Sequence, residues 1–194
     1  MDRLLNGMGL TAWALFYLIY FVKNLLLRRH GICANRIGKG QKGRAAARVE
    51  RLLGPVTLML GVLQPLSFQP GLLKPLALPE AVRWAGLLLA FAGDAVFLLS
   101  VICMGANWRA GVDATQRTAL VTGGVYARSR NPAFLGFDLL YLGLALAAPV
   151  PLHLALAALG VLVLHLQILQ EEAYLAAVFG DAYEQYRRRV RRYL

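Results

Sequence analysis

The sequence predicts an all-α integral membrane protein with about five transmembrane helices and a C-terminal amphipathic helix at the membrane interface. Three observations support this prediction. Of the 194 residues, 58% are hydrophobic and 16% are charged, and the hydrophobic residues are concentrated in five runs. The formal net charge is +11, and the basic residues cluster at the ends of these runs. This distribution is typical of helices oriented in a bilayer and in contact with anionic membrane lipids, and it argues against nucleic acid as a partner.

The five apolar runs approach or reach the roughly 20 residues that a helix needs to cross a bilayer. The predicted spans are residues 9–27, 52–68, 81–104, 133–148 and 152–169. The second span is expected to carry Pro55 in its first turn and Pro65 near its end. The sequence PVP alone separates the last two spans, so we expect a tight helical hairpin there.

The residues after the fifth span continue with helical periodicity and then break. Gly180 followed by Asp181 predicts a helix C-cap and then an N-cap. The helix beyond this break carries aromatic residues on one face and arginines on the other, so we expect it to lie along the membrane interface.

The basic residues also predict the orientation in the membrane. Residues 28–51 contain eight Lys and Arg, residues 107–130 contain four, and residues 187–192 contain five. With five crossings these segments share one side, which the positive-inside rule assigns to the cytoplasm. We therefore expect an integral protein of a bacterial or archaeal inner membrane, with its N-terminus outside and its C-terminus cytoplasmic.

Polar side chains at the cytoplasmic ends of the last spans predict a cavity. Gln167, Gln170, Glu171 and Tyr174 fall at i, i+3, i+4 and i+7, so they share one helix face. A polar stripe at membrane depth is costly unless it meets a partner or a wet cavity. Each such feature alone is typical of a membrane anchor. The sequence contains no dinucleotide fingerprint, phosphate loop, metal-ligand cluster or nucleophile elbow.

Three segments of the C-terminal half resemble a known family. They read MGANWR, TALVTGGVYARSRNPAFLG and EEAYLAAVFGDAYEQYRRRV. In order and spacing they are similar to the membrane-embedded isoprenylcysteine carboxyl methyltransferases and their phospholipid-methyltransferase-like relatives. The N-terminal half matches only as apolar spans. We expect a single domain over residues 1–194, with three spans and a basic loop in 1–103 and the cofactor-binding elements in 104–194.

The resemblance implies methyl transfer from S-adenosylmethionine to a lipophilic small-molecule or lipid acceptor at the cytoplasmic membrane edge. Glu171 can meet the ammonium of the methionine moiety, and Tyr126 and Phe134 can flank the adenine or the sulfonium. The positions that correspond to the family's cofactor site are Thr118, Ala119, Leu120, Val121, Tyr126, Asn131, Pro132, Ala133, Phe134 and Glu171.

The sequence departs from the family at two positions, and two residues are candidates for the catalytic site. Asn131 stands where many relatives have histidine, and both side chains donate a hydrogen bond. Gln167 stands where prenylcysteine enzymes carry an arginine for the substrate carboxylate, so the resemblance to that substrate class is weakened. Gln167 and Asp138 are the candidate catalytic residues. If the acceptor is a protonated amine, Asp138 or Glu172 can take its proton.

Two other functions and one further residue stay open. An NADPH-dependent membrane reductase of the sterol-reductase type shares a similar C-terminal pattern, and a non-catalytic membrane scaffold needs no site. Asp94 lies well inside the third span, where a functional role and a structural, hydrogen-bonded role are both reasonable.

Overall fold

The computed structural model describes residues 2–32, 43–108 and 119–194. Short 3₁₀ turns occur at Gly105–Asn107 and Gly124–Ala127. Within the described ranges there is no strand, only an isolated bridge between Ser129 and Arg191, so the all-α fold is confirmed. The helices are α1 (Asp2–Arg29), α2 (Arg44–Ser67), α3 (Glu80–Met104), α4 (Pro132–Ala147), α5 (Pro151–Phe179) and α6 (Asp181–Arg189).

Several helices are longer than the apolar runs that predicted them. Hydropathy marks the apolar part of a helix, but backbone hydrogen bonding continues through polar flanks that contain good helix formers. This applies to α2, which begins at Arg44 in the sequence RAAARVE. Pro55 therefore lies inside the helix, and its predicted place in the first turn was wrong.

Three described helical segments are long and apolar enough to cross a membrane, namely Arg3–Arg29, Glu80–Asn107 and Pro151–Phe179. Helix α4 is apolar but has only 16 residues. Large hydrophobic side chains such as Leu18 and Leu88 lie exposed on the outer surface, as a lipid-facing protein requires. The protein is an integral membrane protein, and crossings by α2 and α4 remain predictions.

Paired glycines allow α3 and α4 to pack closely. A Cβ on Gly86 would lie 2.6 Å from the Gly143 carbonyl oxygen, and one on Gly93 would lie 2.7 Å from the Gly136 carbonyl oxygen. In each helix the two glycines are seven residues apart, so they recur on one face. Small residues at this spacing are a common means of helix association in membranes. The close contact fixes α4, and with it the residues at its start.

A proline explains a contact between α1 and α2. Pro65 has no N–H, so it leaves the carbonyl of Gly61 without its helical donor. The Trp13 indole N–H donates to this carbonyl oxygen at 3.0 Å. Trp13 is thus placed by a hydrogen bond and by helix packing.

The predicted break between α5 and α6 is confirmed, but Gly180 is the cap of both helices, so the predicted N-cap at Asp181 was wrong. Helix α5 ends at Phe179, Gly180 has φ +52°, and α6 begins at Asp181. The aromatic face of α6, formed by Tyr183 and Tyr186, is buried against the protein, and burial raises the pKa of both phenols to about 12. The location of α6 at the membrane interface remains a prediction.

Candidate functional site

A cavity of about 260 Å³ lies among helices α1 to α5. Its volume is near the lower end of the range for small-molecule sites. Its aromatic lining residues are Tyr17, Tyr20, Phe97, Trp108, Phe134, Phe137 and Tyr141. Its other lining residues are Leu53, Thr57, Leu58, Ala133, Leu164, Gln167 and Glu171.

The aromatic side chains of the wall pack against one another. The ring centroids of Phe97 and Phe137 lie 5.2 Å apart, and those of Phe97 and Trp108 lie 6.5 Å apart, both edge to face. Tyr20 meets Trp108 at 5.6 Å. Such rings provide flat surfaces for a planar ligand and electron-rich faces that attract cations.

Gln167 and Glu171 form the polar part of the wall. The Gln167 amide nitrogen donates to Glu171 Oε1 at 3.2 Å. The Gln167 amide oxygen is buried and has no hydrogen-bond partner within the described residues. Of the described residues that line the cavity, Glu171 is the one with a formal charge, and none of them is Lys, Arg or His. The wall is therefore suited to a ligand that brings a positive charge and hydrogen-bond donors.

The structure places four of the predicted site residues in the cavity wall: Ala133, Phe134, Gln167 and Glu171. Tyr126 lies close enough to Glu171 for the charge of that carboxylate to affect the pKa of the Tyr126 phenol. Burial first, and then the charge of Glu171, raise the pKa of the Tyr126 phenol above its usual range. Its hydroxyl is a neutral donor without a partner among the described residues.

The other described residues that were predicted for the site are not among those that line the cavity. Asn131 caps the start of α4, and its side chain turns to Glu172. Pro132 is the first residue of α4. Ala119 donates its N–H to Asn107 Oδ1 at 2.9 Å, and Leu120 and Val121 follow it. Thr118 lies outside the described residues.

Two carboxyl groups within the helices are buried away from the wall. Asp138 on α4 follows the lining residue Phe137, and its Oδ1 has no partner among the described residues. Asp94 on α3 is also buried, and neither of its carboxyl oxygens has a partner there. Asp138 and Asp94 thus each keep at least one buried carboxyl oxygen without a partner in the part of the chain that the structure describes.

Glu172 has a set of partners that the sequence did not reveal. Its Oε1 accepts from Arg130 Nη2 at 2.9 Å and from Asn131 Nδ2 at 3.1 Å. Its Oε2 accepts from Arg192 Nη2 at 2.9 Å. One buried carboxylate thus joins two guanidinium groups and the cap of α4. Both carboxylate oxygens already accept hydrogen bonds. Glu172 is therefore not available to take the proton of an amine acceptor.

Several lining residues come from the N-terminal half, which sequence reasoning did not assign to the site. They are Tyr17 and Tyr20 on α1, Leu53, Thr57 and Leu58 on α2, and Phe97 on α3. Tyr17 and Tyr20 are three residues apart, and Leu53 and Thr57 are four apart, so each pair shares one helix face. An apolar face of a membrane helix nevertheless gives no sign of a cavity. Trp108 lies in the segment MGANWR, which the resemblance already included.

The fold and the cavity define a helical integral membrane protein with a largely aromatic cavity among its helices. The model of the phospholipid methyltransferase family matches residues 81–182, which is more than half of the chain. The chain therefore belongs to the phospholipid methyltransferase family, and the resemblance noted in the sequence is confirmed.

A curated relative supports the same assignment. The chain is 42% identical over 72 residues to the protein-S-isoprenylcysteine O-methyltransferase of Schizosaccharomyces pombe (strain 972 / ATCC 24843). The matched segment is 37% of this chain and 30% of the length of that relative.

Proposed function

We propose that this protein is an integral membrane methyltransferase that uses S-adenosylmethionine and acts on a lipophilic acceptor. The observation that carries the proposal is the Gln167–Glu171 pair, which places a carboxylate and an unpartnered amide oxygen in an otherwise aromatic and apolar wall. Membership of the phospholipid methyltransferase family favours the same reaction.

Residues in and beside the cavity fit the ammonium, adenine and sulfonium groups of S-adenosylmethionine. Glu171 and the free oxygen of Gln167 offer two acceptors for its ammonium group, in the charge-assisted form that is strongest. The unpartnered Tyr126 hydroxyl offers a neutral donor. Phe97, Phe134 and Trp108 offer faces for the adenine ring and for the positively charged sulfur.

When bound, S-adenosylmethionine supplies an electrophilic methyl group on a positively charged sulfur. The protein then has to hold the acceptor against that group and exclude water. The aromatic and aliphatic wall does both, because it restricts position and keeps the site dry. We propose that Gln167 orients the Glu171 carboxylate toward the cofactor.

The charges of the wall favour a neutral, amine or thiol acceptor over a carboxylate. A buried carboxylate without a partner costs several kcal/mol, and the described wall contributes no cation to offset that cost. Glu171 would add repulsion. We propose that Asp138 takes the proton of an amine acceptor, since it follows the lining residue Phe137 along α4 and its Oδ1 has no partner among the described residues.

The acceptor is proposed to reach the cavity from the bilayer. Leu58 lines the cavity and is also 69% exposed on the outside of α2. A residue with both properties marks a place where the cavity approaches the lipid. An apolar chain can therefore remain in the membrane while its head group occupies the cavity.

A reductase and a scaffold are less well supported by the same wall. NADPH carries several phosphate charges, which proteins usually bind with Arg, Lys or helix N-termini, whereas Glu171 gives this wall a negative charge. A scaffold would have no use for an unpartnered amide oxygen in a cavity.

We also propose the membrane orientation in which the C-terminus is cytoplasmic. We also propose one domain over residues 1–194, since the cavity takes walls from 1–103 and from 104–194.

Product analysis tests the proposed function directly. Membranes that contain the protein are incubated with methyl-labelled S-adenosylmethionine, and the lipid extract is divided into base-labile esters and base-stable products. We expect label in the base-stable fraction, and none from membranes with Glu171→Gln. Efficient esterification of a farnesylcysteine analogue would contradict the acceptor assignment. Absence of any protein-dependent label in lipid would count against a lipid acceptor.

A further inference from the structure

Residues 190–194, which we name the latch segment, lie against the residues that begin α4. Arg130 N–H donates to the Arg191 carbonyl at 3.0 Å, and Arg130 Nη1 donates to the Val190 carbonyl at 2.8 Å. Asn131 Nδ2 donates to the Arg192 carbonyl at 3.1 Å. These bonds join parts of the chain about 60 residues apart in sequence.

Glu172 ties this contact to α5. Its carboxylate accepts two bonds from Arg130, at 3.2 and 2.9 Å, and two from Arg192, at the same two distances. Arg130 and Glu172 side chains are 9% and 8% exposed, whereas Arg192 is 38% exposed. The latch segment, the start of α4 and the end of α5 therefore meet at one buried carboxylate.

The position of this carboxylate connects it to the cavity. Glu172 follows Glu171, which lines the cavity, and Asn131 precedes the lining residues Ala133 and Phe134 by two and three residues. Tyr186 O–H donates to the Tyr126 carbonyl at 2.6 Å and adds a second tie from α6 to the same loop. A shift of the latch segment would move residues on both sides of the cofactor site.

Stability alone is a poor reason for such an arrangement. A buried ion pair gains little over an apolar replacement, because desolvation offsets the Coulombic attraction. A carboxylate shared by two guanidinium groups does fix direction and distance, since each planar fork binds in one orientation. It also holds the Arg130 side chain, which donates to Glu172 and to the Val190 carbonyl.

We propose that Glu172 is a positioning residue that holds the start of α4 through Arg130, Asn131 and Arg192, and thereby sets the affinity for S-adenosylmethionine. This inference rests on the proposed function. Glu172 does not touch the cofactor. It keeps Ala133 and Phe134 in the wall by fixing the residues that begin α4.

The test compares Arg192→Gln with Arg191→Gln. Both substitutions remove one positive charge from the same segment, but the Arg191 side chain is exposed and the contact to α4 uses its backbone. Affinity is measured by equilibrium binding of labelled S-adenosylmethionine to the purified full chain. We expect Arg192→Gln to raise the Kd about tenfold, as for loss of a charged hydrogen-bonded contact, and Arg191→Gln to leave it within about twofold.

Three further variants complete the design. Glu172→Gln is expected to weaken binding at least as much as Arg192→Gln, and the double variant no more than Glu172→Gln alone, because both act on one contact. Arg192→Lys, which keeps the charge without the fork, is expected to be intermediate. In turnover assays KM for the cofactor should rise with little change in kcat. If Glu172→Gln does not fold, the substitutions at the partly exposed Arg192 still test whether this contact sets the affinity for the cofactor.

Hydrogen exchange separates this inference from the proposed function. The Arg130 amide, which bonds to the Arg191 carbonyl, should exchange faster in Arg192→Gln than in Arg191→Gln, with or without cofactor. If the unmodified protein binds no S-adenosylmethionine, the proposed function fails and the positioning role fails with it, whatever the exchange rates show. Equal Kd values for the two variants, or a lower Tm with an unchanged Kd, would overturn the positioning role while the proposed function stands.

Discussion

Gln167 and Glu171 lie one turn apart on α5, and the amide of Gln167 donates to the carboxylate of Glu171 at 3.2 Å in the wall of the cavity. This contact changes the interpretation of Gln167. In the sequence, Gln167 stands at the position where prenylcysteine enzymes carry an arginine for the substrate carboxylate. In the structure it is a partner of the proposed cofactor ligand, so a change at 167 is expected to affect the cofactor as well as the acceptor.

Glu171→Gln should abolish most of the affinity for S-adenosylmethionine without destabilising the unliganded protein. The substitution removes the charge that meets the ammonium, and charged hydrogen bonds contribute about 1.5–3 kcal/mol, or about tenfold to over a hundredfold in Kd. It also removes a charge from an otherwise largely apolar wall, so the Tm without ligand should stay the same or rise. Glu184→Gln is the control, because Glu184 lies at the surface of α6 and pairs with Arg187. Equal loss of affinity in both variants would refute the role of Glu171.

Gln167→Arg should impair both cofactor binding and turnover. An arginine at this position would pair with Glu171 and occupy the carboxylate proposed for the ammonium. Gln170→Arg adds the same group to α5 at a position outside the cavity wall and serves as the control. Binding of labelled cofactor measures the effect, and normal affinity in Gln167→Arg would show that Glu171 does not hold the ammonium.

Gly143→Ala should destabilise the packing of α3 on α4. Its added Cβ would lie 2.5 Å from the backbone nitrogen of Ala90, so the helices must separate, at a cost of about 1–3 kcal/mol. Gly7→Ala is the control, since nothing lies within 4 Å of its Cβ position and alanine favours the helix. Thermal unfolding in detergent should give a lower Tm for Gly143→Ala and an unchanged or higher Tm for Gly7→Ala. Identical shifts would mean that the glycine contact is unimportant.

The positions of the helices could be predicted from the sequence far better than the contacts among them. Apolar runs located α1 to α5, and the Gly180–Asp181 pair located the break before α6. The start of α2 was missed because a polar flank such as RAAARVE is helical by propensity and not by hydropathy. The interior position of Pro55 follows from the same cause.

The candidate site was predictable where it follows one helix face and hidden where it depends on tertiary contacts. The i, i+4 spacing indicated that Gln167 and Glu171 share a face, and both line the cavity. The partners of Glu172 are 20 and 42 residues away, and no local pattern indicates them. Tyr17 and Tyr20 read as ordinary membrane aromatics, since the cavity exists only once five helices have packed.

The orientation is tested by cysteine labelling of intact cells, in a background without Cys33 and Cys103. Leu72 is exposed in the segment between α2 and α3, on the side expected to face outward. An impermeant thiol reagent should label Leu72→Cys and should label Gly40→Cys only after the membrane is opened. The opposite pattern would place the cofactor site on the outer face, away from the cytoplasmic supply of S-adenosylmethionine.

Binding of S-adenosylmethionine in the cavity around Glu171 is tested most directly by the thermal stability of the purified protein with and without ligand. A ligand that binds the folded state raises its stability by about 2.7 kcal/mol at a hundred times its Kd. We expect S-adenosylmethionine and S-adenosylhomocysteine to raise the Tm and NADPH to leave it unchanged. In Glu171→Gln the rise with the adenosyl ligands should be much smaller. A Tm that stays flat across saturating concentrations of both adenosyl ligands, or that rises with NADPH alone, would contradict this expectation.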